Sequence, residues 1–431
     1  MSSAATSGLP APAGSGPLRT ILHCDLNNFY ASVECLYRPE LRDRPVAVCG
    51  QKEKRHGIVL AKNMPAKRCG IRTGEAVWQA RAKCPDLVTV PPDFPRYLEF
   101  SRMVREIYAE YTDRIEPYGI DECWLDLSDR ADLRRNAPAF ADRLRERVRE
   151  ELGVTLSIGV SWNKVFAKLG SDMKKPDATT VIRPEDFRET VWPLPVDELL
   201  FVGRSTGARL RNIGVGTIGR LARLQPDFIR GFLGKWGEYL WMFANGFDAS
   251  PVERAGAEVP VKGVGNSMTT PRDVVGEEDA RMVFRILSES VAERLRRHGF
   301  RGRTVQVWLR DVRLASFERQ RKLPRCTCLS GEILAAALAL YRENWDPALP
   351  LRSVGVRVTD LVPADTPVQL DLFDVEVGRE REERLERTLD SIRSRFGPDA
   401  VQRALLLSDR AFHAHPAEEH VIFPGSRCGA S

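Results

Sequence analysis

Runs of apolar residues and their spacing divide the first part of the chain into short strands and amphipathic helices. Residues 19–25 (RTILHCD) form a β-prone run that ends at Asp25. Apolar residues then recur at helical spacing over 29–36 until a proline ends the pattern, and residues 44–50 (RPVAVCG) predict another strand. A small helical segment is expected over about 63–85.

The next segment completes a familiar order of strands and helices. Its predicted elements are an amphipathic helix over 95–113, two strands around a tight turn over 115–129, a charged helix over 140–152 and a strand over 154–162. Together with the first strand they follow the order β-α-β-β-α-β, which is typical of a ferredoxin-like antiparallel sheet under two helices. We expect such a sheet to present acidic side chains on an open face.

The pattern changes twice beyond residue 190. Two short helices around a Gly-Val-Gly turn over 198–224 indicate a helix-hairpin-helix, whose backbone amides can face a DNA phosphate; an ordinary helical hairpin is the alternative. Residues 254–266 lack periodicity and predict a linker. A second α/β domain is predicted after it, with helices near 281–298 and 331–344 and strands at 303–309 and 353–361.

Composition mainly excludes classes of protein. The 431 residues are 43% hydrophobic and 29% charged, without an apolar run near the ~20 residues that a membrane span needs. Residues 1–17 are small, polar and rich in Pro and Gly, which predicts a disordered leader rather than a signal peptide, and hence a cytoplasmic protein. Nine cysteines without a CxxC pair indicate reduced thiols.

Positive charge is unevenly distributed along the chain. The formal net charge is +6, and arginines crowd into residues 281–325, whereas acidic residues gather at 376–386. An arginine-rich segment can bind DNA because its contacts release counterions from the phosphates. A solvated protein face explains the same pattern, so both interpretations stay open.

Three acidic residues stand out against apolar surroundings. Asp25 ends the first strand, and Asp121 and Glu122 lie side by side between apolar residues. Carboxylates in hydrophobic strands are costly unless a cation compensates them. Phosphoryl transfer with two metal ions needs carboxylates that converge from separate strands, and magnesium prefers such oxygen ligands. Taken one by one, each acid also fits a surface carboxylate or a salt-bridged acid.

Three strings of residues carry a resemblance to a known family. CDLNNFYASVE (24–34), YGIDECWLDLSD (118–129) and SIGVSWNKVFAKLGSDMKKPD (157–177) stand in the order and spacing of Y-family DNA polymerases, and they resemble the bacterial DNA polymerase IV and V branches. The resemblance covers nearly the whole chain beyond residue 17. It implies an α+β multidomain fold in the shape of a right hand, with a ferredoxin-like palm, small fingers, a helix-hairpin-helix thumb and an α/β little finger.

The resemblance also implies domain bounds and a site. The bounds are a palm at 18–190 with fingers inserted at about 32–82, a thumb at 191–253, a linker at 254–266, a little finger at 267–365 and a tail at 366–431. The implied ligands of two Mg²⁺ ions are the catalytic acids Asp25, Asp121 and Glu122, with the Leu26 carbonyl as a backbone ligand.

Nucleotide contacts are implied in the same way. Phe29 lies where the family's backbone meets the triphosphate. Tyr30 matches an aromatic steric gate against a ribose 2′-OH, with core packing at a helix start as the alternative. Lys175 matches a lysine that contacts the nucleotide phosphates, with an ordinary surface lysine as the alternative.

The fingers depart from the family's usual pattern. Where many members have Thr, Tyr and Arg against the triphosphate, this chain has Ala61, Met64 and Lys67. Lys67 keeps the positive charge but loses the bidentate fork of an arginine, and the other two side chains cannot donate a hydrogen bond. The substitutions therefore put nucleotide affinity, fidelity and activity in question.

The tail contains a second short motif. Gln369, Leu370, Asp371, Leu372 and Phe373 form QLDLF, which resembles the peptide by which bacterial polymerases bind the sliding clamp, with Gln369, Leu370, Leu372 and Phe373 as the contacts. A domain-closing strand with core leucines is the alternative. Residues 374–409 predict an accessory helix, for which a partner-binding helix and a solvated charged helix fit equally well.

These features together predict a monomeric DNA-directed DNA polymerase for translesion synthesis. Its substrates are primer–template DNA and dNTPs, it extends a primer 3′-OH with low fidelity and no proofreading, and it binds the clamp but no membrane. Two other classes remain. A non-catalytic, clamp-bound repair accessory of the same fold is favoured by Ala61, Met64 and Lys67, and a nucleotidyl cyclase shares the palm but lacks the thumb and the clamp peptide.

Overall fold

The computed structural model describes residues 18–50, 57–257, 260–367 and 376–407. The described chain divides into two compact units: residues 18–49 with 59–257, and the described residues from 260 onward together with residues 50, 57 and 58. Within those ranges, no helix combines the length and the apolar character that a bilayer crossing requires. The predicted leader at 1–17 lies outside the described residues.

The first unit contains eight strands and twelve helices among its described residues. The strands are β1 (Ile21–Leu26), β2 (Val46–Cys49), β3 (Val59–Lys62), β4 (Val88–Val90), β5 (Ile115–Pro117), β6 (Glu122–Asp126), β7 (Leu156–Ser161) and β8 (Thr179–Val181). The helices are α1 (Phe29–Tyr37), α2 (Met64–Arg68), α3 (Val77–Lys83), α4 (Phe94–Ala109), α5 (Ala131–Arg134), α6 (Ala137–Leu152), α7 (Lys164–Met173), α8 (Phe187–Thr190), α9 (Arg204–Asn212), α10 (Ile218–Ala222), α11 (Pro226–Leu233) and α12 (Lys235–Ala244).

A five-stranded sheet in the order β5-β6-β1-β7-β8 forms the centre of this unit. Strand β1 pairs antiparallel with both β6 and β7, and all six of its residues are buried. On one face Leu22, Cys24 and Leu26 pack with apolar residues of α1, α4 and α6. The predicted β-α-β-β-α-β order and its two covering helices are therefore confirmed.

The other face of this sheet is covered too, which corrects the expectation of an open face. Helix α7 packs on β1 and β7. A Cβ on Gly159 of β7 would lie 1.9 Å from the carbonyl oxygen of Ala167, so only glycine permits so close an approach. The face that carries Asp25 therefore meets a helix rather than solvent, because the sequence order alone does not show that a third helix returns to this face.

A small three-stranded sheet in the order β3-β2-β4 lies in the segment predicted as fingers. Its core contains Ala47, Val59, Ala66 and Ile71, together with residues of α3. Strand β4 pairs in parallel with β2, so the sheet ends at Val90, later than the expected limit near residue 82. The three-residue strand is too short for its alternation to be detected in the sequence.

The predicted pair of short helices is confirmed by α9 and α10. Residues 213–217 join them, and Gly214 has a φ of 80°, which favours glycine. Helices α11 and α12 complete this part by burying Ile229, Leu240 and Trp241 in a shared core with α9 and α10.

The second unit is an antiparallel sheet with helices. Its elements are β9 (Gly263–Val274), α13 (Gly276–Arg297), β10 (Phe300–Asp311), β11 (Ser316–Thr327), α14 (Ser330–Asn344), β12 (Leu351–Pro363), α15 (Glu376–Phe396) and α16 (Ala404–Leu407). The strand order is β11-β10-β12-β9, and α13 and α14 pack on its apolar face. The predicted second α/β domain is confirmed.

Two details of this unit differ from the sequence predictions. Strand β9 begins at Gly263, so the linker expected over 254–266 ends earlier; the Gly-Val-Gly start has weak β propensity and hid the strand. Strand β11 was not predicted, because it is an edge strand in which half of the residues are exposed and five of twelve are charged. Charged side chains protect such an edge from pairing with other chains.

The accessory helix α15 is held by ion pairs to its own unit. Arg296 of α13 is buried and pairs with Glu386 and Asp390 of α15. The buried Glu386 carboxylate also accepts hydrogen bonds from the Ser330 backbone amide at the start of α14, at 3.1 Å. One face of α15 is thus packed within the domain rather than solvated, and the partner-binding interpretation stays a prediction.

Candidate active site

Three acids meet at one end of the five-stranded sheet. Asp25 lies near the end of β1 and is paired in register with Glu122, the first residue of β6. Asp121 precedes Glu122, and its carbonyl oxygen accepts a hydrogen bond from the Leu26 amide at 3.0 Å. Neighbouring strands thus bring together residues that are about a hundred positions apart, as the sequence predicted.

Two lysines approach these acids from α7 and the loop after it. The Lys168 ammonium lies 3.1 Å from Asp25 Oδ2 and 2.7 Å from Glu122 Oε1. The Lys175 ammonium lies 2.7 Å from the same Asp25 oxygen and 2.7 Å from Asp172 Oδ1. Lys175 therefore reaches the predicted site, and the side chain of Asp25 is only 5% exposed.

The two lysines stabilise the ionised forms of the three acids to different degrees. Burial opposes ionisation of Asp25, but Lys168 and Lys175 outweigh it and lower its pKa to about 2. Burial and then the Asp25 charge raise the pKa of Asp121 to about 6. Burial raises the pKa of Glu122 to about 8 against the opposing charge of Lys168. Burial thus disfavours the charged forms of Asp121 and Glu122, and a further cation bound among the acids would favour those forms.

Two further residues of the site, Lys168 and His23, were not predicted from the sequence. His23 is fully buried on β1, its Nδ1 lies 2.9 Å from Ser171 Oγ, and its Nε2 lies 3.8 Å from Glu122 Oε2. Burial and then the Lys168 charge hold the pKa of His23 well below its ordinary value, so the ring supports the site as a neutral group. The available signal for Lys168 was Asp172, one helical turn later.

Tyr30 lies beside the acids at the start of α1. Its ring stacks on Tyr97 with centroids 4.4 Å apart at 11°, and the Tyr97 hydroxyl donates to Glu34 Oε1 at 2.7 Å. Burial and then the charge of Asp121 raise the pKa of Tyr30 to about 12. Phe29, one residue earlier, is buried in the main core. The stacked pair fixes the Tyr30 ring next to an acid of the site.

The three fingers positions lie on β3 and α2. Ala61 and Tyr30 pack against the same apolar cluster, so β3 adjoins the helix that carries the tyrosine. Met64 is half-buried and Lys67 is exposed. The QLDLF motif at 369–373 lies outside the described residues.

The chemistry of the three acids suits a hard divalent ion, although their side chains are not in a metal-binding arrangement. Among the described residues, no group of three or more His, Cys, Asp or Glu side chains has metal-binding geometry. The Lys168 ammonium instead bridges two of the three acids. The pKa values of Asp121 and Glu122 are raised, and the charge of Asp25 is compensated by two lysines. The three carboxylates still form the oxygen-rich donor set that Mg²⁺ prefers.

Comparison with known proteins gives matches along most of the chain. The impB/mucB/samB family matches residues 24–172, and the C-terminal domain of that family matches residues 261–372. The DNA polymerase IV of Acetivibrio thermocellus is 53% identical over 92% of this chain and 99% of the relative. The DNA polymerase IV of Moorella thermoacetica is 41% identical, and DNA polymerase IV 1 of Bacillus subtilis is 36% identical.

These two relatives are matched over 90% and 91% of this chain and over 96% and 94% of their own lengths. A solved Y-family DNA polymerase chimera covers 80% of this chain and 99% of its own, with a TM-score of 0.70 and 21% identity. At that identity the solved structure shows a shared fold alone.

Proposed function

The chain belongs to the impB/mucB/samB family of Y-family DNA polymerases, and from this premise we propose that Asp25, Asp121 and Glu122 are the acids of its nucleotidyl-transfer site. It is a DNA-directed DNA polymerase of the translesion class. The observation that carries the site is the convergence of three carboxylates from β1 and the start of β6, two of which have a raised pKa.

The residues that would hold two Mg²⁺ ions are these three acids and the Leu26 carbonyl. When bound, such ions make the primer 3′-OH a stronger nucleophile and neutralise charge on the leaving diphosphate. Lys168 balances part of the acids' charge from α7, and Lys175 places a second ammonium at the rim beside Asp25, where a triphosphate would be held. The Tyr30 ring, fixed by its stack on Tyr97, would limit the space at the sugar C2′.

The direct test is primer extension with one dNTP at a time, in Mg²⁺, opposite each template base and an abasic site. We expect insertion of the complementary nucleotide on intact templates and extension past the abasic site. A protein that binds primer–template DNA without adding a nucleotide would instead be the non-catalytic accessory, which Ala61, Met64 and Lys67 favour. Since chromosomal DNA is the expected substrate, we propose that the enzyme is located in the cytoplasm. We also propose that it is a monomer.

A sliding-clamp contact is the second part of the proposal. The QLDLF sequence combines a glutamine with a Leu-Phe pair, which can anchor an extended peptide in an apolar pocket. Tethering to a clamp would raise the local concentration of enzyme at the primer end.

Deletion of residues 369–373 is expected to leave synthesis on short templates unchanged and to abolish stimulation by a bacterial sliding clamp on long primed templates. Phe373→Ala should have the same effect because it removes an apolar anchor, whereas Asp371→Ala is the matched control and should keep the stimulation. Full stimulation of the deletion variant would place the docking segment elsewhere.

A further inference from the structure

Two cysteines next to the small three-stranded sheet lie against each other. Cys69 directly follows α2 and is exposed, whereas Cys84 directly follows α3 and is only 6% exposed. The Cys84 thiol donates a hydrogen bond to the Cys69 sulfur, and burial and then this bond raise the pKa of Cys84. An accessible thiol is therefore in contact with a buried one.

Contacts of the neighbouring residues hold the ends of the two helices together. The ammonium of Lys83, one residue before the buried cysteine, donates to the carbonyl oxygen of Gly70, one residue after the exposed one, at 3.1 Å. Cys84 also packs in one apolar cluster with Ala66 of α2 and with Ile71. The two thiols are thus brought together by a bond and by core packing on both sides of them.

Accessibility distinguishes this pair from the cysteines of the main sheet. Cys24 and Cys123 also face each other, in register across β1 and β6, but both are buried. Among the cysteines that the structure describes, Cys69 alone is exposed. Oxidation of a thiol depends on access to the oxidant, so Cys69 is the thiol that a small oxidant in solution reaches first.

We propose that Cys69 and Cys84 form a reversible disulfide when the protein meets hydrogen peroxide. First the Cys69 sulfur attacks peroxide, so that an S–O bond forms, the O–O bond breaks, and a sulfenic acid and water result. The Cys84 sulfur then attacks the Cys69 sulfur. The S–S bond forms, the S–O bond breaks, and the departing hydroxide takes the Cys84 proton as water. A dithiol reductant restores both thiols by exchange.

The bridge would tie the end of α2 to the end of α3. It closes a loop over residues 69–84, and such a cross-link stabilises a fold mainly by restricting the unfolded chain. Because the two side chains are already in contact, the folded chain needs little rearrangement to form it. The chemistry involves none of the three acids, so this inference goes beyond the proposed function and does not depend on it.

Peptide mapping by mass spectrometry, on the full chain before and after treatment with hydrogen peroxide, tests the proposal. We expect a linked pair of peptides that carry Cys69 and Cys84, together with the loss of both free thiols, and dithiothreitol should reverse the two changes. Cys69→Ser should abolish the linked pair, and its exposed position makes the substitution tolerable to the fold. Cys326→Ser, which removes a half-buried thiol of the second unit, is the matched control and should still form the bridge.

Cys84→Ala separates the two steps of the reaction. Without the second thiol, Cys69 should stay a sulfenic acid after peroxide treatment, and dimedone should label it much more strongly than in the wild-type chain. The inference would be overturned if the folded wild-type chain kept both thiols at peroxide concentrations that oxidise an exposed cysteine of an unfolded peptide. It would equally be overturned if Cys69 were found linked to a different cysteine.

Discussion

Asp121→Asn is expected to abolish primer extension while leaving DNA binding nearly intact. The change keeps the shape of the side chain but removes one of three carboxylates that would hold the cations. Loss of such charge stabilisation at the reacting phosphate costs several kcal/mol, so the single-turnover rate should fall roughly a thousandfold or more at about 1.4 kcal/mol per factor of ten. Rapid-quench insertion assays and DNA-binding titrations measure both quantities.

The matched control is Asp129→Asn, an exposed acid that pairs with Arg114 and lies outside the cluster. Its insertion rate should match that of the wild-type chain. The thermal stability of Asp121→Asn should not fall, because Asp121 is an acid whose ionised form is disfavoured by burial and by Asp25. Normal insertion by a folded Asp121→Asn protein would refute the assignment of this acid.

Tyr30→Ala is expected to relax selection against ribonucleotides. The Tyr30 ring is fixed by its stack on Tyr97 and lies near Asp121, so a ribose 2′-OH placed beside it would overlap a side chain that cannot move away. Overlap of packed groups costs about 1–3 kcal/mol. The ratio of kcat/KM for dNTP over rNTP should therefore fall roughly 10–100-fold.

Tyr30→Phe distinguishes the role of the ring from that of the hydroxyl, because it removes only the hydroxyl. It retains the stack on Tyr97 and should keep the selectivity of the wild-type chain, which would show that the ring and not the hydroxyl provides it. If Tyr30→Ala selects sugars as the wild-type chain does, the aromatic pair serves only packing, the alternative that the sequence left open.

Much of the catalytic half was predictable because its signals are local. The apolar run before Asp25, the helical spacing of the next segment and the turn before Glu122 each define one element within a short window. The order of elements indicated a ferredoxin-like sheet, and pairing of neighbouring strands in such a sheet predicts that the acids lie close together.

What the sequence could not show depends on contacts between distant segments. Lys168 reaches Asp25 and Glu122 only because α7 lies very close to the sheet at Gly159. The spacing of apolar residues in α7 indicates a buried face but not which segment that face meets, so the charge balance of the site could not be predicted.

Two elements of the second unit also depend on contacts between distant segments, which the sequence alone does not show. Strand β11 is stabilised by pairing with β10 rather than by its own apolar residues, and its charges resemble those of a solvated segment. Helix α15 has many acids that suggest exposure, yet Arg296 of α13 draws Glu386 into a buried position. Local composition cannot reveal a partner almost a hundred residues away.

We propose that Asp25, Asp121 and Glu122 together hold the cations of a polymerase site. Anomalous diffraction from crystals grown with Mn²⁺, primer–template DNA and a non-hydrolysable dNTP would locate those cations. We predict manganese peaks in contact with carboxylate oxygens of all three residues and with the triphosphate. Manganese bound elsewhere, or no peak beside these acids at saturating Mn²⁺, would contradict it.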